Sequence, residues 1–351
     1  MNAFITSLAT ATPDRRLSQR YAFDFLESHF SLEPAERDLY RRILLEGPIQ
    51  TRCIAVDYDE QLCSVDPDEQ IARFLDQAVK LAATAARRAM ESAPLRAGDV
   101  GGLVVNTCTG YLCPGLSSYV AEALGLPRSV KVFDLMGMGC GAAVPNLQCA
   151  AGLLPQLTGQ SVLSIAVEVC SATLFMGSEP DLVVSNSIFG DGAAACMLSS
   201  SHNGSPAIQL IDFETTLLPR YREHLRYRTD GGRLRNTLSR KVPAIGASAI
   251  SQTVSRLLAR RRMQCDQVDF WAVHPGGSAV LDAVQHRIGL PDQALAHSRA
   301  VLRDYGNMSS PSVLFVLNEH LSHSDLKAGQ KGLLLSFGAG FTAFAALVQI
   351  A

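Results

Sequence analysis

Val100-Gly101-Gly102-Leu103-Val104-Val105-Asn106-Thr107-Cys108 and Val268-Asp269-Phe270-Trp271-Ala272-Val273-His274-Pro275-Gly276 carry one pattern, a short apolar run that ends in polar residues. Each predicts a buried strand that stops at a polar edge. Their ends, Asn106 and His274, lie 168 residues apart, and the landmarks after them keep step: Cys140 follows Asn106 by 34 residues, and Asn307 follows His274 by 33. Cys140 precedes the apolar residues 141–154 and Asn307 precedes residues 308–319, so each is expected to open a helix. Farther on, Gly190-Asp191-Gly192-Ala193 and Gly338-Ala339-Gly340-Phe341 each turn into an apolar closing strand. The spacing predicts an α/β fold of two fused copies of one unit, residues 1–203 carrying the cysteine and 204–351 carrying the histidine and asparagine, divided near residues 199–206. In a duplicated α/β sheet, polar residues at equivalent strand ends meet at the pseudo-twofold axis, which makes Cys140, His274 and Asn307 neighbours.

The surrounding sequence is consistent with a large layered unit. Residues 16–50 and 67–93 have helical periodicity; in the second, Phe74, Ala78, Leu81 and Ala85 share one face, with Arg73, Lys80 and Arg87 expected on the wet side. The last 20 residues, 332–351, are uncharged and long enough to span a bilayer. Their central Phe337-Gly338-Ala339-Gly340-Phe341 instead predicts two buried strands joined by a glycine turn. An apolar content of 47% excludes disorder, and a net charge of −2 gives no general field for nucleic acid or an anionic membrane. Nine cysteines, odd in number and without a CxxC pair, fit a reducing cytoplasm better than a disulfide framework. The N-terminus has no basic region and meets Pro13, Asp14 and Arg15 early, unlike a signal peptide.

Cys140 lies between Gly139 and Gly141, where the backbone can turn sharply and present the sulfur at a helix N-terminus. Beside an imidazole, a thiol so placed is expected to ionise near neutral pH. For most of the nine cysteines an inert buried thiol is the better reading. His274 ends its strand before the turn Pro275-Gly276-Gly277, and a lone histidine there is more often a satisfied structural group. Asn307 read alone is an N-cap. Their placement at repeat-related positions is what raises the catalytic reading.

His274-Pro275-Gly276-Gly277, Tyr305-Gly306-Asn307-Met308-Ser309-Ser310, Phe189-Gly190-Asp191-Gly192-Ala193-Ala194 and the glycine-flanked Cys140 closely resemble the type III polyketide synthases, the chalcone synthase-like enzymes. The resemblance runs in order over nearly the whole chain. It implies the thiolase fold, a five-layered αβαβα duplicate, and a Cys-His-Asn acyltransferase that condenses an acyl-CoA starter with malonyl-CoA and cyclises the poly-β-keto chain to a pyrone or phenolic product. Cys140 would carry the acyl group, and His274 and Asn307 would hold the enolate oxygen formed on decarboxylation. No metal or redox cofactor is implied. The resemblance also implies a homodimer in which Tyr111-Leu112-Cys113-Pro114 reaches the partner's cavity. Phe189 matches a gatekeeping phenylalanine, and Cys108, Leu174, Ser185, Tyr227, Gly276, Gly277, Ser309, Gly338 and Gly340 are implied cavity or substrate-binding positions. Arg42 matches one basic coenzyme A position, while Leu39 and Glu46 occupy the others. The C-terminal glycine loop departs from the family's Gly-Phe-Gly-Pro-Gly and reads Ser336-Phe337-Gly338-Ala339-Gly340.

Residues 220–241 hold seven Arg and one Lys against Glu223 and Asp230, and Arg256 and Arg260-Arg261-Arg262 follow. This predicts a solvated basic face or a landing surface for coenzyme A phosphates or an acidic carrier protein. A carrier protein is admitted but not expected, and no nucleic-acid module surrounds the run. Competing readings are a carrier-dependent β-ketoacyl synthase of the fatty-acid initiation type, a cysteine hydrolase and a catalytically silent thiolase-fold paralogue. The Gly276-Gly277 pair, the block after Asn307, the duplication and the intact triad argue against them.

Overall fold

The computed structural model describes residues 2–202 and 207–351. The first half runs β1 (Phe4–Ala11), β2 (Arg16–Ser18), α1 (Gln19–His29), α2 (Pro34–Glu46), β3 (Thr51–Cys53), α3 (Pro67–Ser92), β4 (Val100–Asn106), α4 (Leu116–Ala123), β5 (Lys131–Leu135), α5 (Ala143–Leu153), β6 (Ser161–Val169), α6 (Pro180–Ile188) and β7 (Asp191–Ser199). The second runs β8 (Ile208–Leu217), β9 (Leu225–Asp230), β10 (Arg233–Leu238), α7 (Val242–Arg260), β11 (Phe270–Val273), α8 (Ser278–Ile288), α9 (Ala296–Tyr305), α10 (Ser312–His323), β12 (Lys331–Gly338) and β13 (Thr342–Ile350).

The strand order shows the duplication. In the first half it is β5-β4-β6-β7-β1, and in the second β11-β12-β13-β8. β4 and β6 pair parallel, then β6–β7 and β7–β1 antiparallel; β11–β12, β12–β13 and β13–β8 repeat that sequence of directions. Edge strands β1 and β8 meet through Phe4↔Gln209 and Ile5↔Ile208, joining the halves into one nine-stranded sheet.

Sequence chemistry assigns the layers. Residues 143–147 of α5 and 312–317 of α10 are buried on every side, as apolar helices in a central layer must be. Both helices touch strands of the two halves. The alanine-rich stripe of α3 lets it lie close on β1, β6 and β7, while α7 covers β8, β12 and β13. The result is five layers: α3, the strands of the first half, α5 with α10, the strands of the second half, and α7.

Several expectations change in detail. Residues 16–50 are two helices flanked by short strands, because Pro34 starts a new helix and Gly47-Pro48 ends it. Arg73 is not simply on the wet side: it is half-buried and donates from Nη2 to the Ser171 carbonyl at 2.8 Å. The C-terminal segment is the expected hairpin, β12 pairing β13 from Lys331↔Gln349 to Gly338↔Thr342. Among the described residues no helix is long and apolar enough to cross a membrane. The proposed division at 203/204 lies outside the described residues.

Candidate active site

Cys140 is carried by the connection from β5 to α5, in the short 3-10 turn Gly139–Gly141. Gly139 has φ +58°, a conformation that favours glycine. A Cβ at Gly141 would stand 2.8 Å from the Phe344 ring and 3.0 Å from the Gly338 nitrogen. The turn is therefore pressed onto the C-terminal glycine loop, which is where Gly338 acts. Phe337 lines the cavity that Cys140 borders, while Gly338 and Gly340 are not part of its lining.

His274 follows β11 directly, its N–H donating to the Leu335 carbonyl at 2.8 Å. It is 1% exposed, and its ring meets Phe337 edge-on at 6.3 Å. Nδ1 is buried without a hydrogen-bond partner among the described residues, so packing rather than a third polar group holds the ring.

Asn307 does not open a helix as expected. It sits five residues ahead of α10, in a loop pinned on both sides of its backbone: its N–H donates to the Ile188 carbonyl at 2.8 Å and its carbonyl accepts from Gly190 N–H at 3.0 Å. Oδ1 accepts from Ser309 N–H at 2.8 Å, which orients the amide so that Nδ2 donates to the Gly276 carbonyl at 3.3 Å and keeps a second proton.

Cys140, His274 and Asn307 line one cavity of about 950 Å³, together with Phe189, Gly276, Gly277, Arg42 and Arg240. Three residues from distant parts of the chain thus meet as a thiol, an imidazole and an amide donor. Residues 7–215 match the family described as FAE1/Type III polyketide synthase-like protein, and residues 209–350 match the chalcone and stilbene synthases, C-terminal domain. A 3,5-dihydroxyphenylacetyl-CoA synthase of Streptomyces toyocaensis is 32% identical, the match covering 88% of this chain and 82% of the relative. The chain belongs to the type III polyketide synthases.

Two further comparisons span the whole synthase. An alpha-pyrone synthesis polyketide synthase-like protein, Pks18, of Mycobacterium tuberculosis is 29% identical over 99% of this chain and 91% of its own. The crystal structure of PKS-I from the brown alga Ectocarpus siliculosus matches with a TM-score of 0.88 at 28% identity, covering 99% of this chain and 98% of that one. The synthase has the thiolase-like fold and is an acyltransferase-type condensing enzyme.

The remaining predicted positions of the synthase divide. Leu174, Ser185 and Tyr227 line a separate pocket of about 70 Å³, not the catalytic cavity, and Phe189 borders both. Tyr227 is held there by its hydroxyl, 3.1 Å from Thr173 Oγ1. Cys108 and Ser309 are buried together, Sγ to Oγ 3.5 Å, and line neither space. Cys113 is exposed beside Tyr111, itself 48% exposed.

Sequence reading missed Glu168, a carboxylate in the otherwise uncharged β6. It accepts from Thr109 Oγ1 and Cys108 N–H at 2.9 Å and from Ser310 Oγ at 2.6 Å, tying the strand end of one half to the Asn307 loop of the other. The one charge inside the run Ser161–Val169 was the available signal. Arg240 was noticed only as part of a basic run, yet it reaches the cavity. Many of its neighbours are neutralised: Arg226 by Glu223 at 2.6 Å, Arg235 by Glu179 at 2.7 Å, and Arg261 by Asp212 at 2.7 Å.

Electrostatics correct one expectation. Burial pushes the Cys140 thiol up to about 12, only partly opposed by the Ser309 hydroxyl, and pushes the His274 imidazole down to about 3. Desolvation outweighs the helix terminus. Burial thus disfavours both a thiolate and an imidazolium, so the thiol needs a proton acceptor when it attacks.

Proposed function

We propose that this synthase loads an acyl group from coenzyme A onto Cys140 and extends it with malonyl-CoA. The observation that carries the reading is the convergence of Cys140, His274 and Asn307 on one cavity that also holds two guanidiniums, Arg42 and Arg240. In loading, Cys140 Sγ attacks the thioester carbonyl while its proton passes to His274. The C–S bond to coenzyme A breaks, and the departing thiolate takes that proton. Malonyl-CoA then loses carbon dioxide. The electron pair of the broken C–C bond moves onto the thioester oxygen, held by His274 and by the free Nδ2 proton of Asn307. The enolate carbon attacks the acyl thioester and releases Cys140 as a thiolate, ready to accept the lengthened chain. An amide suits the second donor because it carries no negative charge to oppose the enolate.

Arg42 and Arg240 are assigned to the coenzyme A phosphates. The carbanion comes from decarboxylation, so the reaction requires no metal or redox cofactor. The product is a pyrone or phenol, in line with the alpha-pyrone and 1,3,6,8-tetrahydroxynaphthalene syntheses in the relatives' names. The working form is a cytoplasmic homodimer that takes free thioesters and binds neither nucleic acid nor membrane. Support for the dimer is the exposure of large apolar side chains, Tyr111 and, on edge strand β5, Val132 and Phe133, the last 47% exposed. A carrier-dependent ketoacyl synthase and a silent paralogue are disfavoured by the polyketide synthase relatives and the complete triad.

The test is incubation with a panel of acyl-CoA starters and labelled malonyl-CoA, with acyl-enzyme and products read by mass spectrometry. Wild type should form acyl-Cys140 and polyketide, and Cys140→Ala neither. Polyketide from the alanine variant would overturn the assignment.

A further inference from the structure

We infer that Arg52, with Gln19, is a positioning residue that sets the Phe189 gate and the Asn307 donor as one unit. Arg52 stands on β3 and is 7% exposed, without an ion-pair partner among the described residues. Its side chain is spent on the last turn of α6, the helix that delivers Phe189. Nη1 donates to the carbonyls of Asn186 at 2.8 Å and Phe189 at 2.7 Å, while Nε donates to Gln19 Oε1 at 2.8 Å. Gln19 Nε2 in turn donates to the Ser187 carbonyl at 2.9 Å.

A helix ends with carbonyls that have no partner of their own, and a cation there is favoured. Here four successive carbonyls are satisfied: Asn186 and Phe189 by Arg52, Ser187 by Gln19, and Ile188 by the N–H of Asn307. The same cap that fixes the gate therefore closes through the backbone of the proposed enolate donor, and Gly190 N–H returns the contact to the Asn307 carbonyl. β3 is stitched to the other approach as well: Thr51 Oγ1 donates to the Asp304 carbonyl at 2.6 Å, just before the Asn307 loop. The Arg52 stem runs beneath that loop, where a Cβ at Gly306 would stand 2.9 Å from Arg52 Cγ. Arg52 donates from two nitrogens fixed in one plane, a geometry that the single ammonium of lysine does not reproduce. Burial lowers the guanidinium to about 10, and it remains a cation at neutral pH.

Neither Arg52 nor Gln19 hydrogen-bonds the Gly139–Gly141 turn of the nucleophile. Loosening the cap should thus displace the donor and spare the thiol. This rests on the enolate role proposed for Asn307. The experiment measures acyl loading of Cys140 by intact-protein mass spectrometry and malonyl-CoA decarboxylation by release of labelled carbon dioxide, in wild type, Arg52→Lys, Gln19→Ala and Asn307→Ala. Expected for Arg52→Lys is loading close to wild type with decarboxylation kcat down about 10- to 100-fold, the scale of a misplacement near 1 Å, and little change in the KM for malonyl-CoA. Gln19→Ala should move the same way by less, and it carries the test alone if Arg52→Lys does not fold. Equal falls in loading and decarboxylation in folded protein, or no fall in either, would overturn the inference. If Asn307→Ala itself fails to separate the two steps, the enolate role is what has failed; if it separates them and the cap variants do not, only the positioning role is lost.

Discussion

Replacing His274 by glutamine should flatten the acid limb of the synthase's stability. In the folded protein burial holds this imidazole at about 3, against an ordinary 6.5, and among the described residues no carboxylate pairs with it. Below 6.5 the unfolded chain takes up a proton that the folded chain refuses, so stability falls as protons are added. The contribution is fully present above pH 6.5 and is lost as the pH drops toward 3. A gap of about 3.5 pH units at ~1.36 kcal/mol each makes the whole loss roughly 5 kcal/mol, of which ~2.7 kcal/mol is reached by about pH 4.5. His320, lowered to about 4 by burial and by His297, adds a loss of the same sign, whereas burial raises Glu168 and Asp191 and opposes it. Comparing wild type with His274→Gln cancels all three. Urea denaturation at fixed protein concentration, at about pH 7.5 and about pH 4.5, should show the wild type losing roughly 2–3 kcal/mol more than the variant. An identical difference between the proteins at both pH values would refute the reasoning, because it would mean that the folded state takes up a proton from solvent as readily as the unfolded chain does.

Two other outcomes test the assembly and the cavity. Light scattering should give a dimer, and Phe133→Lys on the exposed edge strand should weaken it; a fully active monomer of about 38 kDa contradicts the dimer. Wild type should prefer small or narrow acyl starters and stop at triketides or tetraketides, since the pocket beyond Phe189 that Leu174 and Tyr227 help to line holds only about 70 Å³. Leu174→Thr/Tyr227→Gly should lengthen the products by one or two extensions, an exclusion worth about 1–3 kcal/mol in a formed pocket. Chalcone-length products from coumaroyl-CoA in wild type, unchanged in the double variant, would end the small-cavity reading.

The duplication and the three reactive side chains were legible in the sequence because both are written locally. A buried strand must be an apolar run, its end must turn polar, and the distance from strand end to the next connection is counted along one stretch of chain. Asn106 with Cys140, and His274 with Asn307, therefore kept register through two copies. Local pattern also separated the C-terminal hairpin from a membrane span, since Gly338 and Gly340 break the run at its middle.

What tertiary structure alone decided is everything that sums over groups distant in the chain. Arg52 looks like any surface arginine until β3 is set against the end of α6. Glu168 becomes a junction only when β6 lies beside the Asn307 loop, 141 residues away at its nearest side-chain contact. Leu174 and Tyr227 fall behind Phe189 instead of beside Cys140 because the β9–β10 hairpin folds over that side. The protonation of Cys140 and His274 depends on how much protein surrounds each atom. A glycine-flanked cysteine ahead of a helix predicts a thiolate, and desolvation by both halves together reverses the direction.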